Sequence, residues 1–480
     1  MRRNLLLYLA VLLLFAIGFY ATLDEGRKLN PARVPPTESQ SHPAVGPSPS
    51  AIDSLVQNLE DPLSLLFIQL ILIVLAARAS GAIATYVRQP AVVGEMLAGI
   101  LLGPSLLGWV SAGTFHFIFP PASLGTLRLL SQIGVCLFLF VVGMELDVSE
   151  LKKQARTAVL VSQISILFPY LLGVVVAVPL FSSLAARGTT FTAFALFIGI
   201  SMSITAFPVL ARILEERGLT KTPLGITAIA CAATDDVTAW TALAFVAAIA
   251  KADSLASSAL TIGLVLAFVG VMLFGIKPLL PRWLNRGTLP EGSPSKGIMG
   301  AVLVFLFTCA LATDVIGIHA LFGAFLAGVV MPPKGGFRES LRLRLEHFSS
   351  VFLLPLFFAF TGLRTQVGLL NDSTGWLICL GLILVATVGK LGGAMLAARM
   401  TGMQWCDAFA LGALMNTRGL IELIALNLGY DLGILSPRIF TMLVLMALVT
   451  TGMTGPLLNL ANYIRNRASA RVSSAAAVPR

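Results

Sequence analysis

Charge is scarce in this chain. Only 12% of its 480 residues are Asp, Glu, Lys or Arg, where a soluble globular protein carries about 25%. That shortage excludes an ordinary soluble fold. Paired cysteines are missing too. Cys136, Cys231, Cys309, Cys379 and Cys406 have no regular spacing and lie in or beside apolar runs, so they read as small hydrophobes rather than disulfides or metal ligands. The four histidines, His42, His116, His319 and His347, are scattered and sit in no catalytic motif, which argues against an enzyme. No glycine-rich GxGxxG or Walker segment is present, so neither a nucleotide-binding domain nor any other cofactor is expected. A TVGYG-type filter loop is also missing, which disfavours a cation channel.

What is abundant is apolar sequence: 57% of the residues are hydrophobic and the mean hydropathy is +0.89. A bilayer core of roughly 30 Å takes about 20 apolar residues per helix. Fourteen candidate spans follow, near 4–22, 63–83, 90–108, 126–146, 157–180, 190–213, 222–250, 257–276, 296–314, 317–332, 349–366, 375–399, 407–428 and 437–461. The first has the basic start and short apolar core of a signal peptide, without a small-x-small cleavage site, and is read as an uncleaved helix over 1–22. Residues 23–60 are rich in Pro and Ser and read as a flexible external loop. Residues 61–461 form the membrane domain, and 462–480 a short cytoplasmic tail.

The net charge of +10 would suggest nucleic acid as partner in a soluble protein. In a membrane protein it reflects basic cytoplasmic loops instead. With the N-terminus inside, and residues near the end of a span counted with the side they adjoin, 23 of the 33 Lys and Arg fall on the cytoplasmic side, 8 outside and 2 within spans. Both termini are therefore expected in the cytoplasm.

The chain resembles itself. AVVGEMLAGILLGPS (91–105) has a counterpart in HALFGAFLAGVVMPP (319–333), and FLFVVGMELDVSEL (138–151) in PLFFAFTGLRTQVGLL (355–370). The first copy of LAG starts inside and the second outside, so the halves are inverted. Inverted repeats mark secondary transporters, with the binding site at the repeat interface near the midplane. The fourth span of each half carries helix-breaking residues. FTAFALFIGISMSITAFPVLARIL contains Ser203, Thr205 and Pro208; AFALGALMNTRGLIELIALNLG contains Asn416, Thr417, Arg418 and Gly419. Broken helices at matching places in two halves point to a transport site.

Charges inside the spans point the same way. Asp235 and Asp236 lie in CAATDDVTAW, Lys390 in LILVATVGKLGGAML, and Arg418 with Glu422 in NTRGLIEL. Each ion at mid-bilayer costs roughly 2.5–3.5 kcal/mol on insertion scales. Arg418 and Glu422 are four apart, neighbours on one helix face, and brace one another. Glu95 and Glu145 lie nearer helix ends, where supporting or surface roles are expected. Adjacent helical residues point about 100° apart. One aspartate can therefore face a cavity while the other meets Lys390. A carboxyl kept from water can hold a proton or a hard cation, which prefers oxygen ligands. One site with two competing ligands is the minimum machinery for exchange. Ser203, Thr205, Thr234 and loosened carbonyls would complete the oxygen shell.

The stretches SITAFPVLARILEERGL, LGITAIACAATDDVTAW, QPAVVGEMLAGILLGPSLLG and ALGALMNTRGLIELIALNLG resemble the monovalent cation:proton antiporter-2 family, over about residues 63–461. This family includes Kef-type potassium systems, plant cation/proton exchangers and bacterial sodium/proton antiporters. The resemblance implies an all-α polytopic membrane protein of the sodium/proton antiporter fold. It would have 13 transmembrane helices, here with an extra N-terminal one, and an inverted repeat with two crossed discontinuous helices. It implies a homodimer in which a core domain moves like an elevator against a fixed dimerisation domain, exchanging Na+ or K+ for H+. By position, Asp236 resembles the obligatory ion-binding aspartate. Asp235 and Lys390 resemble the pair found in electrogenic members. The chain departs from Kef-type systems in having no cytosolic nucleotide-binding domain. The competing reading is a sodium-coupled organic-anion symporter of similar architecture, which the paired aspartates and Lys390 argue against. A bacterial inner membrane is the expected location.

Overall fold

The computed structural model describes residues 58–59, 61–87, 89–145, 155–251, 255–284, 295–332 and 337–476. The expected helix at 4–22 and the loop at 23–60 lie almost entirely outside this range. Among the described residues there are 11 helices long and apolar enough to cross a membrane, or up to 12 if one bent pair counts as a single span. The thirteen candidate spans from 63 onward all coincide with helical sequence.

The principal helices are α1 (Pro62–Tyr86), α2 (Ala91–Leu102), α3 (Leu124–Glu145), α4 (Ala155–Leu184), α5 (Phe191–Ser203), α6 (Phe207–Glu216), α7 (Pro223–Lys251), α8 (Leu255–Gly270), α9 (Lys296–Ile316) and α10 (Ala320–Val329). They continue with α11 (Phe337–Phe348), α12 (Leu354–Arg364), α13 (Ser373–Met400), α14 (Trp405–Met415), α15 (Leu420–Asp431) and α16 (Pro437–Ala476). Local chemistry sets several of their ends. Thr190 caps α5 by accepting from the Ala193 amide at 3.3 Å, and Asp372 caps α13 by accepting from Gly375 at 3.2 Å. Gly317 ends α9 in the left-handed region, with φ of 103°, where a glycine carries no Cβ penalty.

One candidate span is shorter than expected, that at 317–332, which is helical only over α10. The one at 90–108 is met by Ala91–Val110, in which α2 is followed by a short break and a four-residue helix, Leu107–Val110. Close packing explains why short helices suffice. A Cβ at Gly362 of α12 would collide with the Gly99 backbone of α2, and one at Gly328 of α10 with the Phe140 carbonyl of α3. Backbones that touch need glycine, and the resulting tight crossing compensates for reduced length. These glycines also carry the internal repeat. Gly99 and Gly328 end the two LAG copies, and Gly143 and Gly362 occupy matching places in the second pair of segments. α2 packs on α12 as α10 packs on α3, so each half inserts its short helix into the other.

The helices fall into two bundles. One contains α1–α3 and α9–α12; the other contains α4–α7 and α13–α16. Packing within each is dense, and contacts between them are sparser. α8 lies between, touching α7 and α9.

Candidate functional site

Both fourth spans are broken, in the second bundle. α5 stops at Ser203 and α6 starts at Phe207, with Ile204 and Ala206 extended between them. Pro208 is the second residue of α6. There its missing N–H has no helical partner to lose, and its fixed φ favours starting a helix. The second break, 416–419, separates α14 from α15, which meet at 43°. The breaks cross in contact. The Ala206 amide donates to the Thr417 carbonyl at 2.9 Å, and a Cβ at Gly419 would lie 2.8 Å from the Val209 side chain.

Unwound backbone in a membrane must find partners. Thr451 of α16 supplies two for the second break. Its Oγ1 accepts from the Arg418 amide at 3.0 Å and lies 2.8 Å from the Arg418 carbonyl, within donating reach. The first break is served by cations. Arg418 donates through Nη1 to the Ser201 carbonyl and through Nη2 to the Met202 carbonyl, both at 2.6 Å. Lys390 Nζ donates to the Ser203 carbonyl at 2.5 Å. Three successive orphan carbonyls at the C-terminus of α5 thus meet two positive side chains, as the helix dipole favours.

Asp235 sits at this crossing with no exposure to solvent. Its Oδ2 accepts from Lys390 Nζ at 2.9 Å and from Thr205 Oγ1 at 2.7 Å. Its Oδ1 accepts from Ser162 Oγ of α4 at 2.5 Å, with Ser165 Oγ 3.3 Å from Oδ2. Thr205 Oγ1 is also 3.1 Å from the Met415 carbonyl of the second break. A hydroxyl has one proton, so Thr205 serves either the carboxylate or that carbonyl at a given moment.

Asp236 is equally buried, and its environment is the opposite. Neither carboxyl oxygen accepts a well-formed hydrogen bond from the protein. The first amide of α6, Phe207, lies on its side, so the positive end of a helix dipole faces this carboxyl. Asn416, in the second break, is also fully buried with its amide oxygen and nitrogen unpartnered. Such orphaned groups are rare and call for a ligand or a proton.

The structure therefore brings together Asp235, Thr205, Lys390 and, through its carbonyl, Ser203. Two expected oxygen donors are turned elsewhere. Ser203 Oγ donates to the Ile200 carbonyl at 3.0 Å, and the half-buried Thr234 donates to Ala230 at 2.8 Å. Arg418 does reach Glu422, with Nη1 3.3 Å from Oε2, but its shorter bonds go to α5. Glu95 is buried within α2, more enclosed than its place in the sequence suggested. Ser162, Ser165 and Thr451 were missed. Their signal was available, as SQIS in the fifth span and TTGMT in the last. A hydroxyl in a membrane helix ordinarily bonds its own backbone, which gives no reason to single it out.

Comparison with known proteins accords with this geometry. Residues 70–460 match the family model described as sodium/hydrogen exchanger, transmembrane. The Na(+)/H(+) antiporter NhaS4 of Synechocystis is 41% identical over 82% of this chain and 96% of its own length. Cation/H(+) antiporter 17 of Arabidopsis thaliana is 40% identical over 83% of this chain. The K(+)/H(+) antiporter 1 of Saccharomyces cerevisiae is 35% identical over 87%. The chain spans about half the length of these plant and yeast relatives, 48% of each. In fold it is similar to the sodium proton antiporter MjNhaP1 of Methanocaldococcus jannaschii, with a TM-score of 0.57, covering 84% of this chain and 97% of that one at 15% identity. The chain belongs to the sodium/hydrogen exchanger transmembrane family.

Proposed function

We propose that this protein is a secondary active antiporter that exchanges a monovalent cation, Na+ or K+, for protons. One observation carries the proposal. At the crossing of two broken helices, two adjacent carboxyls share full burial but not environment: Asp235 is saturated by Lys390 and hydroxyls, and Asp236 is unpartnered. Asp236 is the primary ligand for the transported cation and, alternately, the carrier of a proton. Asp235, Thr205 and freed carbonyls of the breaks complete the oxygen shell, with the accepting lone pairs of Ser203 and Thr234 as the outermost candidates. Asn416 and Thr417 lend the second break its polar atoms, and Pro208 and Gly419 permit the breaks to cross.

Lys390 holds Asp235 while no cation is bound. A cation entering the site competes for the same Oδ2. Lys390 then leaves the carboxylate and releases a proton, and Asp236 releases another. Two protons against one cation make the exchange electrogenic. Arg418 and Glu422 stay in place and hold the end of α5. Alternating access is an elevator movement of the bundle α4–α7 with α13–α16 against α1–α3 with α9–α12. The sparser packing between the two bundles supports this reading.

We further assign residues 61–461 to the exchanger domain of a homodimer in a bacterial inner membrane, with cytoplasmic termini. Residues 1–22 are assigned to an extra N-terminal helix, 23–60 to an external loop and 462–480 to a tail. The relatives named above are cation/proton antiporters, so organic-anion symport is set aside.

The test uses inverted vesicles with an acidic lumen. Added Na+ or K+ should dissipate the proton gradient with the native chain and leave it intact with Asp236→Asn. Normal exchange by that variant would remove Asp236 from the site. Running Na+, K+ and Li+ in parallel assigns the cation.

A further inference from the structure

The two bundles are tied together at one end by a compact set of polar side chains. Asp431 is the last residue of α15, in the bundle that carries the site. Its Oδ1 lies 2.8 Å from Arg364 Nη2 and its Oδ2 3.1 Å from Arg128 Nη2. Arg364 ends α12 and Arg128 lies near the start of α3, both in the other bundle. One helical turn earlier, Asn427 repeats the connection. Its Oδ1 accepts from Arg364 Nη1 at 3.0 Å, and its Nδ2 donates to Thr361 Oγ1 at 2.8 Å. Asn427 and Asp431 are four apart and Thr361 and Arg364 three apart, so each pair shares a helix face. Two rungs therefore join α15 to α12. Arg364 is held further by aromatic faces, its guanidinium 4.2 Å from the Phe360 ring centroid and 5.1 Å from that of Tyr430.

Beneath the rungs lies a cavity of about 30 Å³, lined from both bundles by Ser131, His319, Phe357, Asn427 and Asp431 among others. That is space for no more than a water or two, too little for a hydrated cation. Arg364 and Asp431 side chains are only 15% and 16% exposed, so solvent screens the pair little. α15 is also half of a broken helix whose other end forms the ion site. Any sliding of one bundle past the other must part α15 from α12.

From this we infer that Asp431, Asn427, Thr361, Arg364 and Arg128 form a latch that shuts the passage at this end of the bundles, and that it opens once per transport cycle. The inference rests on the alternating-access reading above. Under the orientation proposed there, this is the outer face.

Two experiments test it on the full-length protein in lipid nanodiscs, with the five native cysteines replaced by alanine. In the first, Ser131→Cys places a thiol in the cavity, where Ser131 is 1% exposed. A hydrophilic maleimide should label it at least threefold faster when Asp431→Asn or Arg364→Gln is added. Unchanged labelling in both variants overturns the latch. In the second, Thr361→Cys with Asn427→Cys is oxidised by copper phenanthroline and reconstituted into liposomes. Exchange should fall at least tenfold and return with dithiothreitol. Undiminished exchange in the crosslinked protein, or failure of the pair to crosslink, overturns it too. Labelling needs no ion movement, so a chain that exchanged no cation for protons would defeat the antiport reading and leave the first experiment decisive for the latch.

Discussion

Lys390 Nζ stands between two oxygens of different kinds, 2.9 Å from Asp235 Oδ2 and 2.5 Å from the Ser203 carbonyl. One belongs to a titratable carboxylate and the other to the end of a helix. When Lys390 leaves Asp235 and gives up its proton, the neutral amine is not stranded, because it still donates to the Ser203 carbonyl at the end of α5. The arrangement lets a single amine exchange partners with little rearrangement of backbone.

Removing that amine should damage the fold. Lys390→Ala leaves Asp235 charged and fully buried with only hydroxyl donors. Breaking a buried pair by deleting one partner costs about 3–5 kcal/mol. The thermal midpoint in detergent should fall clearly, and adding Asp235→Asn should recover most of the loss. Additive losses in the double variant would show that the two groups are not coupled.

Asp236 should behave in the opposite way. Its carboxyl oxygens accept no well-formed hydrogen bond and face only the first amide of α6, and desolvating an ionised carboxylate costs far more than desolvating an amide. Asp236→Asn should therefore unfold at the same temperature as the native chain or higher, while exchange disappears. A midpoint several degrees lower would mean that the native protein does partner this group.

For Arg418 the issue is geometry rather than charge. Its planar fork reaches two successive carbonyls, Ser201 and Met202, which a lysine ammonium cannot cover in the same way. Arg418→Lys should leave one buried carbonyl unsatisfied and cost about 1–3 kcal/mol. Arg418→Ala should cost more, because Glu422 is then buried without its cation. Equal midpoints for the lysine and alanine variants would contradict the bidentate role.

The general plan of the fold was legible because a bilayer imposes it. Apolar length marks the spans, and Pro208 and Gly419 mark the breaks, since few other residues suit a chain that must stop being helical. Asp235, Asp236 and Lys390 stood out because charge in such surroundings is costly. What could not be read was direction. Thr234 and Ser203 are as polar as Ser162, yet only Ser162 gives its hydroxyl to Asp235, while Ser165 bonds the Ser162 carbonyl at 2.9 Å and stays 3.3 Å from the carboxylate. Which way a hydroxyl points depends on helix rotation, and periodicity in a uniformly apolar span says little about rotation. Arg418 was legible in part. The i,i+4 rule pairs it with Glu422, and that pair forms at 3.3 Å, but the rule knows nothing of a helix terminus more than 200 residues earlier that offers bare carbonyls.

The glycine crossings make the repeat testable. A methyl at Gly362 would meet the backbone of Gly99, which cannot move aside as a side chain could. Gly362→Ala should force α2 and α12 apart at a cost of about 1–3 kcal/mol. By the repeat, Gly328→Ala at the α10–α3 crossing should cost a similar amount. Gly381→Ala is the matched control, with nothing within 4 Å of the added carbon. A thermal shift assay on the three variants decides it: two lowered midpoints and one unchanged.

The charge carried per cycle depends on Asp235. With a carboxylate there, Lys390 must be an ammonium when no cation is bound, and its proton joins that of Asp236 in the exchange. Asp235→Asn keeps the shape, its amide oxygen accepting from one of the two hydroxyls, Ser162 or Thr205, and its NH2 donating to the other. It removes the reason for Lys390 to hold a proton in the pair. One proton should then leave for each cation that enters. In liposomes, exchange by the native chain should speed up or slow down when a potassium–valinomycin potential is imposed. The Asp235→Asn variant should show a rate that ignores the potential. Unaltered voltage dependence in that variant would detach Lys390 from proton counting and leave it only its helix-capping bond to Ser203.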